Sequence, residues 1–370
     1  YRFEPHPTLQ TWAASGAISR ELSPKPYTIT RMAIIVKLIA TTTTVTWFND
    51  AYDRVISTLN LTGRGKTFFD FTNMRAAYHM SRLAGFGPRR SARIADSLTI
   101  VEMFFAYVFH FGVAPYRVNP RTGMIEDNPW DLTAGIPPTE SGNLTLGGSF
   151  AANSAMGTNA TITGADLEIY LWGVQPDAGD PYSAFMPKAI PVWQMQTPTA
   201  GAISGLFATQ HNIPAGDFLH SLLWMATNGA NAPRDDSVLS SIEVFNQLEN
   251  RSIMRYGGLT SDVMGVQGAE ILSQFGSRLH LAYAPSDNVT TAMDGIASGG
   301  TNATLTINGP AKDSGLYYFP LHQLAIGSAY PDYGVDLRGV ASGDLQIRRG
   351  VIDATGITED VVYRKYQLLS

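Results

Sequence analysis

The sequence predicts an all-β protein with two β-sandwich domains in tandem and short helical inserts. Segments rich in β-branched and aromatic residues, which are typical of strands, recur along all 370 residues. Charged residues make up 15% of the chain, well below the roughly 25% of ordinary soluble domains. Segments of similar character also recur in the same order on the two sides of the proline-punctuated stretch Pro176–Pro214.

Composition and charge argue against several kinds of protein. The net charge of -5 and the pI near 5.8 disfavour a protein that coats nucleic acid, because such a protein needs a basic face. The pairs Arg89–Arg90 and Arg348–Arg349 are too isolated to form such a face. Cysteine is absent, which excludes disulfides and thiolate metal sites. We therefore expect no direct contact with nucleic acid.

The most apolar run of the chain, Leu98–Ala114, does not predict a membrane span. Glu102 and His110 interrupt it, and it is shorter than the roughly 20 residues that cross a bilayer. We interpret the run as a buried strand or a core helix.

Residues 1–26 predict an extended arm. They show no sustained periodicity, they are broken by prolines, and they are too short to form a core of their own. The apolar residues of this segment are Phe3, Leu9, Trp12, Ile18 and Leu22.

The first half of the chain then predicts strands around one helix. Met74, Ala77 and Leu83 lie near helical spacing, ahead of a glycine that is a plausible helix stop. The predicted strands are Thr28–Phe48, Arg54–Leu61, Lys66–Phe71 and Thr161–Val174, and the predicted helix is Asn73–Gly85. We expect a loop at Asn119–Ser149 and the linker between domains at Pro176–Pro214.

The second half repeats this order of segments. Its predicted strands are Asp217–Thr227, Ser237–Leu248, Arg251–Gly258 and four later ones that begin near Leu316, Val335, Leu345 and Val361, with a helix at Ser261–Phe275. The strand near Arg54 matches the strand near Ser241. The pattern L-x-I followed by Gly-Val also pairs Leu167–Val174 with Leu345–Val351. The repeated order predicts two copies of one sandwich.

Two short motifs resemble catalytic or phosphate-binding loops but lack a required glycine. The segment Gly63–Thr67 (GRGKT) has Asn60 where a phosphate-binding loop needs glycine, and it lies between two strands. We interpret it as a hairpin turn. The segment Gly147–Ala151 has Ala151 where a nucleophile elbow needs glycine, and the serine of GAISG at Gly201 is out of place.

Metal-binding patterns are also missing. None of the seven histidines forms a pair at i, i+4 spacing, and no HExxH occurs. His110 and His220 lie in apolar segments and are predicted core residues. The pair Asp235–Asp236 leaves open a calcium site, although a solvated turn is the favoured interpretation. We predict no catalytic, cofactor-binding or metal-binding residues and no cofactor.

Aromatic residues make up 11% of the chain, and six lie in or beside predicted strands. They are Tyr170, Trp172, Trp193, Trp224, Tyr317 and Tyr318. Flat rings of this kind line sugar-binding faces, but they more often anchor cores and subunit interfaces. We favour the second interpretation.

Several segments together resemble one known family. They are IIVKLIATTTT (Ile34–Thr44), RVISTLNL (Arg54–Leu61) with the following MRAAYHMSRLAG, LEIYLWGV (Leu167–Val174), SSIEVFNQL (Ser240–Leu248) and GLYYFPLHQLAIG (Gly315–Gly327). The chain resembles the double jelly-roll major capsid proteins of tectivirus-type, membrane-containing icosahedral phages. This resemblance implies two eight-stranded jelly rolls, at residues 27–200 and 201–370, after the arm at residues 1–26.

The resemblance also implies a structural role and no enzyme activity. Three chains would form a pseudo-hexameric capsomer of an icosahedral shell. This capsomer would contact neighbouring capsomers and minor capsid or penton proteins. The arm at residues 1–26 would dock beneath the barrels, against a neighbouring subunit or an internal lipid membrane. The protein would be part of the virion and would assemble in the host cytoplasm.

Two other functions remain open at this point. A receptor- or carbohydrate-binding β-sandwich, such as a spike or adhesin, would expose aromatic residues in a groove. A glycoside hydrolase would need two carboxylates across a cleft. Glu168 is one candidate, and the sequence offers no convincing partner for it.

Overall fold

A computed structural model describes most of the chain and confirms the all-β prediction. The described residues are 1–6, 10–22, 25–48, 51–83, 90–94, 100–175, 177, 186–198, 207–227, 229, 238–257, 291–292, 306–307, 315–324, 330–351 and 357–369. Strands dominate them, and the helices among them are one α-helix and short 3₁₀ turns. The predicted helix Ser261–Phe275 and the pair Asp235–Asp236 lie outside the described residues.

The first sandwich occupies the N-terminal half. Its elements are β1 (Arg2–Pro5), β2 (Ala17–Glu21), β3 (Thr28–Trp47), β4 (Ile56–Gly63), β5 (Lys66–Phe71), α1 (Met74–Leu83), β6 (Arg90–Ile94), β7 (Ile100–His110), β8 (Tyr116–Val118), β9 (Ile125–Asp127), β10 (Thr145–Phe150) and β11 (Gly157–Val174). One sheet has the order β1–β11–β3–β7–β6, and the other has β2–β10–β4–β5. Strands β8 and β9 form a separate hairpin.

The second sandwich follows with the same arrangement. Its elements are β12 (Ala189–Gln196), β13 (Thr209–Asn212), β14 (Phe218–Thr227), β15 (Leu239–Asn246), β16 (Arg251–Gly257), β17 (Thr291–Ala292), β18 (Thr306–Ile307), β19 (Leu316–Phe319), β20 (Val335–Asp336), β21 (Leu345–Val351) and β22 (Thr358–Leu368). The order β12–β22–β14–β19 faces the order β13–β21–β15–β16.

The strand orders identify both sandwiches as jelly rolls. Eight main strands form each sandwich: β1, β2, β3, β4, β5, β7, β10 and β11 in the first, and β12, β13, β14, β15, β16, β19, β21 and β22 in the second. In each sandwich, the first main strand pairs with the last, the last with the third, and the third with the sixth. The opposite sheet pairs the second with the seventh, the seventh with the fourth, and the fourth with the fifth. This is the double Greek-key order of an eight-stranded jelly roll. The predicted double jelly roll is confirmed.

The two sandwiches are joined edge to edge. Strand β5 of the first pairs in parallel with β12 of the second at Phe69–Trp193 and Asp70–Gln194. One sheet of each sandwich therefore continues into the other. Trp193 and Val362, from the second sandwich, are also buried in the core of the first. The two domains share packed apolar surface as well as backbone pairing.

The N-terminal segment differs from the predicted arm. Strand β1 pairs with β11, and β2 pairs with β10, so residues 1–22 supply the first and second strands of the first jelly roll. Ile18 and Leu22 are buried in its core. These strands have only four and five residues and lie at sheet edges with one mostly exposed face, so they carry little periodic signal.

The predicted linker also differs from the structure. Strands β12 and β13 lie within Pro176–Pro214, and β12 pairs along its length with β22 of the second sandwich. Proline inside a strand argues against a central position. Pro191 is accommodated because the pairing of β12 with β5 is confined to Trp193 and Gln194. The strand pairing thus does not coincide with the predicted boundaries at residues 26 and 200.

One predicted strand match was right and the other was wrong. The strands near Arg54 and Ser241 are β4 and β15, the fourth main strand of each jelly roll. Leu167–Val174 lies in β11, the last strand of its jelly roll, whereas Leu345–Val351 is β21, the seventh. The true counterpart of β11 is β22. A short shared pattern was a weaker guide than strand order.

Two local predictions in the first half are confirmed. The helix predicted at Asn73–Gly85 is α1, and the side chain of Asn73 caps it by accepting a hydrogen bond from the Arg75 amide. The GRGKT segment is a two-residue hairpin turn between β4 and β5. Arg64 and Gly65 both have positive φ there, as a type I′ turn requires.

Gly334, after the 3₁₀ turn Pro331–Tyr333, is expected to tolerate no side chain. Its φ is +102°, and an added Cβ would lie 2.2 Å from the Leu219 carbonyl oxygen. We expect Gly334→Ala to lower the free energy of unfolding by roughly 2 kcal/mol or more, from backbone strain and overlap. Urea denaturation measures this change in the free energy of unfolding. Gly339→Ala is the matched control, because its Cβ would meet nothing within 4 Å; equal losses in both variants would contradict the prediction.

Candidate functional site

The outer surface of the first sandwich carries a group of aromatic rings, which we call the aromatic face: Phe3, Tyr170 and Trp172. Phe3 on β1 lies directly across from Trp172 on β11. Its ring stacks on Tyr170 at 5.7 Å and an interplanar angle of 12°, and lies 4.9 Å from the ring of Trp172. Phe3 is 55% exposed. These contacts arise because all three side chains point to the same side of neighbouring strands.

An ion pair fixes the β8–β9 hairpin beside the aromatic face. The guanidinium of Arg31, on β3, lies 5.8 Å from the centre of the Trp172 ring. It donates two hydrogen bonds to the Asp127 carboxylate on β9, at 2.7 and 2.6 Å. This hydrogen bonding lowers the pKa of Asp127 below its ordinary value. The hairpin is therefore docked by a two-pronged, charge-assisted contact.

The hairpin exposes apolar side chains instead of burying them. Val118, Met124 and Ile125 are 63%, 67% and 73% exposed. Nearby, the exposed ring of Tyr1 contacts Trp130 at 5.2 Å. Apolar and aromatic groups gathered on one surface are typical of a site that another protein covers. We take the aromatic face and the hairpin together as the candidate contact surface.

The predicted aromatic anchors divide into two groups. Trp193, Trp224 and Tyr317 are fully buried in the cores, the first of the two places that were predicted for such rings. Tyr170 and Trp172 lie on the aromatic face and are only half-buried. The sequence signal was the same for both groups, because a ring on a strand does not reveal which face of its sheet is covered.

The two predicted core histidines are confirmed as buried. The ring nitrogens of His110 lie 3.0 Å from the Gly112 carbonyl and 2.7 Å from the Asn128 carbonyl. The Nδ1 atom of His220 lies 3.2 Å from the Ser221 hydroxyl. Both rings are enclosed at the junction between the two sandwiches, beside residues of β22.

Glu168 is exposed on β11, and its carboxylate accepts a hydrogen bond from the Tyr170 hydroxyl at 2.8 Å. Within the described part of the chain, no group of three or more His, Asp or Glu side chains could hold a metal ion. The segment GAISG at Gly201 lies outside it. No described helix is long and apolar enough to cross a membrane.

Comparison with known proteins identifies the fold. No protein-family model and no curated protein sequence matches the chain. The crystal structure of the STIV MCP, the major capsid protein of Sulfolobus turreted icosahedral virus, is similar with a TM-score of 0.66 at 11% identity, covering 99% of this chain and 96% of that one. The atomic structure of the same virus contains a chain with a TM-score of 0.60 at 11% identity, covering 99% and 90%. The double jelly-roll fold thus matches over essentially the whole length of both chains.

Proposed function

We propose that this chain is a major capsid protein that self-associates into the shell of an icosahedral virus. The observation that carries the proposal is the whole-chain likeness to the STIV MCP. The match covers 99% of this chain and 96% of that one, so it includes both jelly rolls of this chain and the β5–β12 pairing between them. A likeness confined to one sandwich would fit many binding proteins. A match that includes both sandwiches and their connection favours a capsid role for this chain as well.

The surface of the chain supports self-association. Charged residues make up only 15%, and large apolar side chains on the β8–β9 hairpin are open to solvent. Stable assemblies bury such groups in interfaces with few charges. The role we propose is structural, without catalysis, a metal or a cofactor.

The proposed unit is a homotrimer of pseudo-hexameric outline, since three chains bring six jelly rolls into a ring. Closed three-fold symmetry repeats one interface three times and leaves no interface surface unpaired within the ring. Neighbouring capsomers and minor capsid proteins are its further proposed partners, in a virion assembled in the host cytoplasm. We do not extend the proposal to a membrane contact through residues 1–26, because β1 and β2 lie in the sheets of the first sandwich.

Light scattering on the purified chain tests the proposal. We expect a stable species of about 120 kDa, three copies of the 40.1 kDa chain. We also expect shells or shell fragments in electron micrographs at high protein concentration. A chain that stays monomeric at micromolar concentration and forms no particles would contradict the proposed function.

The hairpin gives this test a specific variant. Ile125→Asp places a charge on a side chain that is 73% exposed, so we expect the fold to persist while the trimer or its further assembly is lost. Leu248→Asp is the matched control, because Leu248 is 74% exposed in a turn of the second sandwich. If the Ile125→Asp variant, the control and the unchanged chain assemble equally well, the hairpin is not part of the contact surface.

A second candidate function is recognition of a carbohydrate by the aromatic face. Exposed rings on a sheet can stack on apolar sugar faces, and the carboxylate of Glu168 lies beside them through Tyr170. Glycan-array binding that is lost in Trp172→Ala, in a chain that forms no particles, would favour this function over the capsid proposal.

A further inference from the structure

One backbone carbonyl accepts two buried hydrogen bonds across the junction between the sandwiches. Gly112, in the turn that follows β7 of the first sandwich, accepts a hydrogen bond from the Arg364 guanidinium at 2.7 Å. The Tyr366 hydroxyl donates to the same oxygen at 3.2 Å. Both donors lie on β22 of the second sandwich and are fully buried. A side chain at position 112 would collide with Asp131, only 2.3 Å from an added Cβ, which explains the glycine.

Three histidines surround this contact. His110 precedes Gly112 and lies 3.0 Å from the same carbonyl. His220 on β14 and His322 in the 3₁₀ turn Leu321–Leu324 stack face to face, with ring centres 4.1 Å apart and planes 11° apart. The ring of His220 also meets Tyr366 edge-on at 5.6 Å. Two imidazoles can stack this closely when they are neutral, whereas two imidazolium ions would repel each other.

The surroundings keep all three rings neutral near pH 7. Burial lowers the pKa of His110 to about 4, and Arg31 and Arg364 lower it further, against the two carbonyls that favour the charged form. Burial, and then the charge of Arg364, lower the pKa of His220 and of His322. Three neutral rings thus surround the buried guanidinium of Arg364.

The other ionisable groups near the junction already take part in hydrogen bonds. Asp127 is paired with Arg31, and Asp131 accepts hydrogen bonds from the Ala114 amide and the Thr133 hydroxyl. Burial raises the pKa of Tyr318, Tyr333 and Tyr366, so these phenols stay neutral.

We propose that the junction is an acid-sensitive joint. At neutral pH the uncharged histidines pack around Arg364 and allow its hydrogen bond to Gly112. Acidification adds up to three positive charges around that guanidinium. The mutual repulsion weakens the bond across the junction and loosens the two sandwiches against each other while each jelly roll keeps its own core.

The direction of the pH dependence follows from linkage. The three histidines have folded pKa values below the value of about 6.5 that they reach when the junction opens. The open form therefore binds more protons below that pH. The stability of the junction is complete above about pH 6.5 and is lost as the pH falls from there towards 4.

Hydrogen exchange on the full chain in its native oligomeric state tests the joint. We compare pH 7.5 with pH 5.0, with exchange times corrected for the intrinsic rate. For peptides that cover Gly112 and the β5–β12 pairing at Phe69–Trp193 and Asp70–Gln194, we expect exchange at least about tenfold faster at pH 5.0, since one unit of pKa shift in one group is already a factor of ten. The sheet β13–β21–β15–β16 should remain protected. Uniform loss of protection over the whole chain would overturn the proposal.

A double variant isolates the stacked pair. His220→Gln with His322→Gln removes two of the titrating rings, and we expect it to reduce the acid-induced change in exchange to less than half. His6→Gln, a histidine in the first sandwich outside the junction, should leave that change intact. Parallel acid responses in all three proteins would overturn the proposal.

If the double variant does not fold, the unchanged protein still provides a test. The pKa of each histidine can be measured by exchange of its ring C2 hydrogen, followed by mass spectrometry. Values for His220 and His322 at or above 6.5 would show that the rings are not held neutral, and the proposal would fail.

Discussion

Deletion of residues 1–22 is expected to destroy the first jelly roll. Strands β1 and β2 are its first and second main strands, and each supplies an edge of one of its sheets. The deletion removes Ile18 and Leu22 from the core, about 1.5–3 kcal/mol each from apolar burial alone. It also removes the ladders to β11 and β10. We expect an insoluble chain, or one whose first sandwich is open to protease while the unchanged protein resists.

A pair of point variants on β2 checks the same argument without a deletion. Ile18 is buried, whereas Ser19, its neighbour on the strand, is exposed. We expect Ile18→Ala to cost roughly 2–4 kcal/mol in urea denaturation and Ser19→Ala less than about 0.5 kcal/mol. A folded, soluble trimer that lacks residues 1–22 would instead support an independent arm and contradict the strand assignment.

How far the sequence predicted the fold depended on the length and composition of each element. The long β-branched run of β3 and the helical spacing of α1 were found within a few residues of their observed bounds. Strands β1 and β12 were missed. Strand β1 has four residues, and its partner β11 lies more than 160 residues away in the chain. Strand β12 contains Pro191, which ordinarily signals a loop.

The candidate sites show the same limit. Aromatic side chains on strands predicted anchors of a core or of a subunit interface. Trp193 lies in a core and Trp172 on an outer surface, because burial within one chain depends on what covers the sheet. His110 and His220 were predicted core residues, but nothing in their local sequence relates them to Arg364. Strand pairing brings these positions together, and a single sequence does not encode that pairing locally.

The second sandwich contains a buried ion pair whose disruption is expected to have a large effect. Arg349 on β21 and Glu359 near the start of β22 lie on its two opposite sheets. The guanidinium donates two hydrogen bonds to the carboxylate, both 2.6 Å long. The indole of Trp224 donates a third at 3.1 Å, and Arg349 lies over the same ring at 4.7 Å. Arg349 and Glu359 are each only 1% exposed.

Removing one member of this pair should cost far more than removing both. Glu359→Gln leaves a buried guanidinium without its counter-charge, and we expect a loss of about 3–5 kcal/mol in the unfolding of the second sandwich. Arg349→Met with Glu359→Leu replaces both charges by apolar groups, so most of that stability should return. The difference between the single and double variants gives the coupling energy of the pair.

Asp336 and Arg338 provide the matched control for this measurement. They form a hydrogen-bonded ion pair on the surface of the same sandwich, with both side chains substantially exposed. Exposed pairs contribute little to stability, so Asp336→Ala should change the free energy of unfolding little. Because two joined sandwiches need not unfold in one step, the unfolding of the second should be followed by hydrogen exchange of β15 and β21 during denaturation. A loss in Glu359→Gln no greater than in Asp336→Ala would show that the buried pair does not hold the two sheets together.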